Sequence, residues 1–127
     1  MRGLEGPAKG TSMAEAGWFA PLTRESLSGV GFFADYVQLH FNLNPLLNVY
    51  TSIRVTTDGT SRKTGEAGFA EALLGQMSKR VAKVTIEPER CISIHFKDDS
   101  VVSFETARHS GLAQSFTLFT NAGVYEE

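Results

Sequence analysis

YVQLHFNLNPLLNVY (36–50) and CISIHFKDDSVVSFE (91–105) are the two stretches whose reading decides the fold. In the first, Val37, Leu39 and Phe41 alternate with Tyr36, Gln38 and His40. Beyond the turn NLNP (42–45), Leu47 and Val49 alternate with Asn48 and Tyr50. In the second, Ile92, Ile94 and Phe96 alternate with Cys91, Ser93 and His95. KDDS (97–100) turns the chain, and Val102 and Phe104 then alternate with Ser103 and Glu105. A period of two sends one face to a core and the other to water, so each stretch predicts an antiparallel hairpin. Laid over each other without a gap, so that His40 falls on His95, they match apolar to apolar, turn to turn and His-Phe to His-Phe.

Working outward, one strand is expected from Val30 to Asn42, and the alternation after Leu47 extends the next to Val55, with Ser52 and Arg54 outward. The polar run DGTSRKTGEAG (58–68) reads as a loop. WFAPLTRESL (18–27) carries Pro21, suited to a first helical turn, and predicts a short helix. Phe69, Leu73 and Met77, each one helical turn beyond the last, predict a second over 68–77. Ala82, Val84 and Ile86 alternate with Lys83, Thr85 and Glu87, and SFTLFT (115–120) is a last strand before a polar end.

The expected fold is therefore α+β. It is a mainly antiparallel sheet of about six or seven strands, built from two similar helix-plus-hairpin halves, with two short helices. The halves run about 18–57 and 66–121 of one domain, 18–127. It follows an irregular leader, 1–17, within which Met13 is an alternative start. A helix followed by two or three strands is thus used twice, and the antiparallel strands are expected to form a curved sheet or two hairpin layers. The expected core is Phe32, Val37, Leu39, Phe41, Leu47, Val49, Ile53, Leu73, Val84, Ile86, Ile92, Ile94, Phe96, Val102, Phe104, Phe116 and Leu118.

The leucine–glycine stretches LSG (27–29) and LLG (73–75), with the hairpins LHFNLNPLL (39–47) and IHFKDDSVV (94–102), resemble small uncharacterised bacterial domains built from duplicated α+β halves. Some of these are suspected of toxin-immunity or accessory roles. The resemblance spans 27–106 and rests on folding motifs. It implies a recognition role and brings over no catalytic residue.

Composition narrows the function. With 12 basic and 14 acidic residues the net charge is −2, so no net positive field draws the chain to nucleic acid. No apolar stretch approaches a membrane span. The single Cys91 cannot form an intramolecular disulfide or a multi-cysteine zinc site, and a cytoplasmic setting is expected.

The outward positions carry the candidate ligand- or partner-binding residues: Tyr36, Gln38, His40, Tyr50, Arg54, His95 and Glu105. Tyrosine and arginine combine contact area with fixed donors, which suits interfaces. No catalytic residue is assigned. Cys91 and His95 lie on one strand face about 13 Å apart, too far to pair. His40 and His95 lack metal-ligand spacing, so no metal and no cofactor is expected. The function expected is a non-catalytic interaction module, immunity-like or accessory, acting as a homo-oligomer with a possible protein partner. A small-molecule pocket or enzyme site near His40 and His95, with Tyr50 and Glu105, is the first alternative. An RNA-binding Sm-like module is the second, with Arg62, Lys63, Lys79 and Arg80 gathered into one basic patch.

Overall fold

A computed structural model describes residues 17–42, 45–87, 91–106, 115–121 and 123–126. Ten strands are found among them, all paired antiparallel, in two five-stranded sheets. The first sheet holds β1 (Leu27–Phe32), β2 (Val37–Phe41), β3 (Leu46–Val49), β9 (Phe116–Thr120) and β10 (Gly123–Glu126), in the order β1-β2-β3-β9-β10. The second holds β4 (Ile53–Thr57), β5 (Thr60–Lys63), β6 (Val81–Glu87), β7 (Cys91–Phe96) and β8 (Val101–Glu105), in the order β5-β4-β8-β7-β6. A 3-10 turn (Ala20–Leu22) precedes β1, and the short helix α1 (Phe69–Leu74) lies between β5 and β6.

Alternation builds the core. Leu39, Phe41, Leu47, Val49, Phe116 and Leu118 of the first sheet point inward; so do Ile53, Val55, Ile92, Ile94, Val102 and Phe104 of the second. All belong to one apolar cluster, which Phe19, Leu22, Phe69 and Leu73 join from the helical segments. The Phe104 and Phe116 rings meet edge to face with centroids 5.8 Å apart, linking the two sheets. Truncating a fully buried ring of this kind costs about 3–5 kcal/mol.

The strand count exceeds the expected six or seven for reasons legible in the register. The run from Val30 to Asn42 is two strands, because the chain reverses at Ala34–Asp35 and pairs Phe32 with Val37. The run through Val55 is also two strands. Residues 50–52 carry the chain from the first sheet to the second, with Val49 buried before the corner and Ile53 after it. Polar β5 forms by pairing with β4, every residue exposed, and β10 by pairing with β9. The two hairpins accordingly lie in different sheets, the two-layer form of the expectation rather than the single curved sheet.

Smaller corrections follow. The first helical segment stops at Leu22 and the second spans only Phe69–Leu74. Phe32, expected in the core, is 46% exposed at a strand end. Ala82 is exposed because a bulge between Val81 and Lys83 breaks the alternation. The leader 1–17 lies outside the described residues except for Gly17.

Several backbone features of β1–β3 have a like in β6–β8. Bulges interrupt β1 between Leu27 and Gly29 and β6 between Val81 and Lys83, which sets Leu27 against Val81 and Gly29 against Lys83. Arg24 and Ser78, equivalent on the same register, both adopt left-handed backbone, φ 77° and 76°. Such a conformation costs a non-glycine residue about 1 kcal/mol and persists only where neighbours hold it. Here Arg24 N donates to Val81 O at 3.0 Å, and Ser78 N donates to Leu27 O at 2.7 Å. Phe41 N donates to Pro45 O at 3.0 Å across the turn of the first hairpin, as Phe96 N does to Ser100 O at 2.9 Å across that of the second. The hairpin pair Thr57–Thr60 has its counterpart in Thr120–Gly123. The hairpins are exchanged: β9–β10 completes the sheet of β1–β3, and β4–β5 completes that of β6–β8.

Candidate functional site

Outward parity on β2 and β3 puts Tyr36, Gln38, His40, Asn48 and Tyr50 on the outer face of the first sheet, where Gln38, His40 and Asn48 form one bonded group and Tyr36 and Tyr50 an aromatic pair. Gln38 pairs with Asn48 across the two strands, and its Nε2 donates to Asn48 Oδ1 at 3.0 Å. This orients the amide so that Gln38 Oε1 faces His40 Nε2 at 2.6 Å. An amide oxygen only accepts, so the proton of this bond sits on His40 Nε2. Tyr50 Oη lies 3.0 Å from Thr117 Oγ1, extending the polar band onto β9.

Aromatic rings continue the face toward the β1–β2 turn. Phe33 stacks on Tyr36 with centroids 4.8 Å apart and planes 16° from parallel. Tyr36 meets Tyr50 at 5.7 Å, tilted by 58°. Gly31 makes room for this: a Cβ there would lie 2.9 Å from Phe33 Cε2. Beside the rings opens a cavity of about 270 Å³ lined by Phe33, Asp35, Tyr36, Tyr50, Thr51, Ser52 and Thr64, with Ala34, Val37 and Val49. At the other end of the face, His40, Leu46, Phe119 and Val124 form a cross-strand row. Phe119 and Val124 are exposed.

The other three candidates, Arg54, His95 and Glu105, occupy the outer face of the second sheet. Arg54 and Glu105 line a cavity of about 180 Å³ with Ser52, Lys63, Cys91 and Ser103. Lys63 stands directly opposite Arg54 across β4–β5, a like-charge pair. His95 lies outside that lining, its Nε2 2.9 Å from Thr85 Oγ1. Partial burial, and secondarily the Lys83 ammonium, hold its imidazole below the ordinary histidine range. Cys91 Sγ is 3.5 Å from Glu87 Oε1.

The seven candidates therefore divide four and three between two faces. A common pocket of His40, Tyr50, His95 and Glu105 is not formed. Nor is the basic patch: Arg62 and Lys63 lie on β5, while Lys79 and Arg80 lead into β6 at the opposite edge of the sheet. Lys79 Nζ is paired with Asp98 Oδ2 at 2.7 Å. Among the described residues no group of three His, Cys, Asp or Glu side chains is placed to hold a metal, and no helix is long and apolar enough to cross a membrane.

Sequence reasoning passed over Phe33, Asp35, Asn48 and Val124, and held Thr117 and Phe119 only as part of SFTLFT (115–120), an edge segment suited to dimerisation, without placing them on this face. Asn48 shares the parity of Tyr50 and was readable. Phe33 and Asp35 were hidden by the unrecognised turn, and Thr117 and Phe119 by not knowing that β9 pairs with β3. Comparison with protein-family models, with curated proteins and with solved structures returns no match.

Proposed function

We propose that the chain is a non-catalytic recognition module made of one helix-plus-five-strand unit used twice about a pseudo-two-fold axis, with the outer face of the first sheet as its recognition surface. The support is a comparison the molecule makes with itself. Read on that repeat, each outward residue of the first sheet has a counterpart on the second. His40 corresponds to His95, but Tyr36 corresponds to Cys91, Gln38 to Ser93, Asn48 to Ser103, Tyr50 to Glu105 and Phe119 to Thr56. Two faces on equivalent scaffolds thus differ in kind: one collects rings, amides and apolar area, the other small hydroxyls and charges. Aromatic and amide side chains with fixed partners are the composition of an interface.

A recognition role rather than catalysis fits the bonding of the reactive groups. His40 bonds a glutamine amide and His95 a threonine hydroxyl, while the Cys91 thiol lies by the Glu87 carboxylate. The Thr85–His95 pair does set a hydroxyl beside a base, but neither residue lines either cavity described above, and the Cys91 thiol faces a carboxylate rather than an imidazole.

The module acts as a homo-oligomer through the row of Leu46, Phe119 and Val124 beside edge strand β10. An immunity-like or accessory role is compatible with this, since it needs a binding face and no chemistry. Sedimentation equilibrium of the full chain tests the assembly. A concentration-dependent dimer is expected, converted to a folded monomer by Phe119→Asp with Val124→Asp and unaffected by Thr56→Asp. A wild-type monomer at all accessible concentrations overturns the assembly.

A further inference from the structure

We infer that the cavity beside Phe33, Tyr36 and Tyr50 binds an organic cation, a quaternary or alkyl ammonium group or a guanidinium, on its aromatic rings with Asp35 as counter-charge. This goes beyond the assembly reading and rests only on the outer face being a recognition surface.

Three rings and one carboxylate line a single cavity of about 270 Å³, and no lysine or arginine is among its lining residues. Aromatic faces carry negative potential and attract cations, most strongly where water is partly excluded. The rings are held before any ligand arrives. Phe33 is seated over Gly31 and stacked on Tyr36, and Tyr36 leans against Tyr50, whose hydroxyl is 3.0 Å from Thr117 Oγ1. Phe33 is nonetheless 51% exposed, so ring surface remains accessible. Holding exposed rings in a fixed array lowers the ordering cost of binding.

The second sheet supplies an internal control. Its cavity of about 180 Å³ is lined by Cys91 and Glu105, the counterparts of Tyr36 and Tyr50, and by Arg54 and Lys63. Equivalent backbone there carries no ring pair and two cations, a surface that repels the same ligand.

The test is titration of the full chain with choline, followed by two-dimensional NMR. Its neutral isostere 3,3-dimethylbutan-1-ol, glucose, and two peptides, one bearing trimethyllysine and one arginine, are titrated in parallel. Choline should shift resonances of Phe33, Asp35, Tyr36 and Tyr50 and leave those of Arg54 and Glu105 unmoved, with the isostere at least tenfold weaker. Tyr36→Ala should weaken choline binding at least tenfold and Asp35→Asn severalfold, whereas Tyr36→Phe, which keeps the ring, should change it less than twofold. Preference for a peptide over choline assigns the cation to a protein side chain, and the reverse to a free small molecule. Equal binding of the isostere, binding of glucose in place of choline, or no shift at the four residues overturns the inference. Loss of dimerisation with choline binding intact would fault the assembly alone.

Discussion

Ser26 and Arg80 face each other across an isolated antiparallel bridge that joins β1 of one sheet to β6 of the other. The register that sets Leu27 against Val81 also sets Ser26 against Arg80, so each is the other's counterpart. The bonds around them are reciprocal. Leu27 N donates to Lys79 O at 3.1 Å and Val81 N to Glu25 O at 2.8 Å; Asn42 N donates to Ser26 O at 3.1 Å and Lys97 N to Arg80 O at 2.9 Å. On the proposed two-half reading, this self-paired position is where the pseudo-two-fold axis passes.

Order of the halves should then be exchangeable. Trp18 stacks on Tyr125 at 5.2 Å, bringing the two ends of the described chain together. Gly65 lies in an exposed turn with nothing within 4 Å of where a Cβ would sit. A permutant beginning at Glu66, running through Glu127 into Met1 and ending at Gly65 is expected to fold with a loss of about 1–2 kcal/mol. Circular dichroism and urea denaturation read the outcome, and a permutant without cooperative unfolding counts against the axis.

Buried polarity would distinguish the proposed halves. Gln76 and Ser100 are almost fully buried, with Ser100 Oγ 2.7 Å from Gln76 Oε1 and Gln76 Nε2 donating to Ala72 O at 3.1 Å. Their counterparts, Leu22 and Pro45, are buried and apolar. Ser100→Ala should cost about 1–3 kcal/mol, because the Ser100 hydroxyl lies between Gln76 Oε1 and Asp98 Oδ1 and accepts from Lys79 Nζ, and all three lose that partner. Gln76→Leu added to Ser100→Ala should restore the part of that loss that comes from the buried amide. Urea midpoints of the single and double variants decide, and an additive loss would be the wrong sign.

Acid sensitivity should include a contribution from His95. Its folded pKa lies below the unfolded value of 6.5, so the unfolded chain takes up the proton first as pH falls. The resulting stability is complete above pH 6.5 and declines as pH falls from there toward the folded pKa. His95→Gln should flatten this part of the stability curve. Lys83→Ala, which removes the lesser cause, should raise the imidazole pKa, measured by NMR titration.

The two glycines of β1 predict opposite responses. A Cβ on Gly31 collides with Phe33 at 2.9 Å, whereas one on Gly29 meets His40 Cβ at an ordinary 3.5 Å. Gly31→Ala should displace the Phe33 ring and shift the Tyr36 ring resonances. Its stability should change little, since Phe33 is half exposed. Gly29→Ala should leave the rings in place and be neutral or stabilising by up to about 1 kcal/mol.

Parity made the two faces of each hairpin readable: Phe41 and Phe96 are buried, His40 is exposed and His95 half buried. Every expected core residue except Phe32 is buried or packed against the core, because period two reports burial whichever sheet a strand joins. For the same reason it did not report which sheet that is. Val49, Thr51 and Ile53 keep their alternation through the corner at 50–52, so the passage between layers left no mark on the pattern. Strand β5 was invisible since TSRK has no apolar side to bury and owes its conformation to β4. The ring cluster depends on the β1–β2 turn and on Phe33 folding back over Gly31, a contact no periodicity encodes.

The exchange of hairpins between the sheets has a mechanical consequence. Peeling away β6–β8 strips β4–β5 of its partner β8, and pulling out β9–β10 robs β3 of a neighbour. Neither β1–β5 nor β6–β10 therefore keeps a complete sheet without the other. Native-state hydrogen exchange should find the central amides of β3 and β8 opening together in one event, as if two interlocked hands had to release at once.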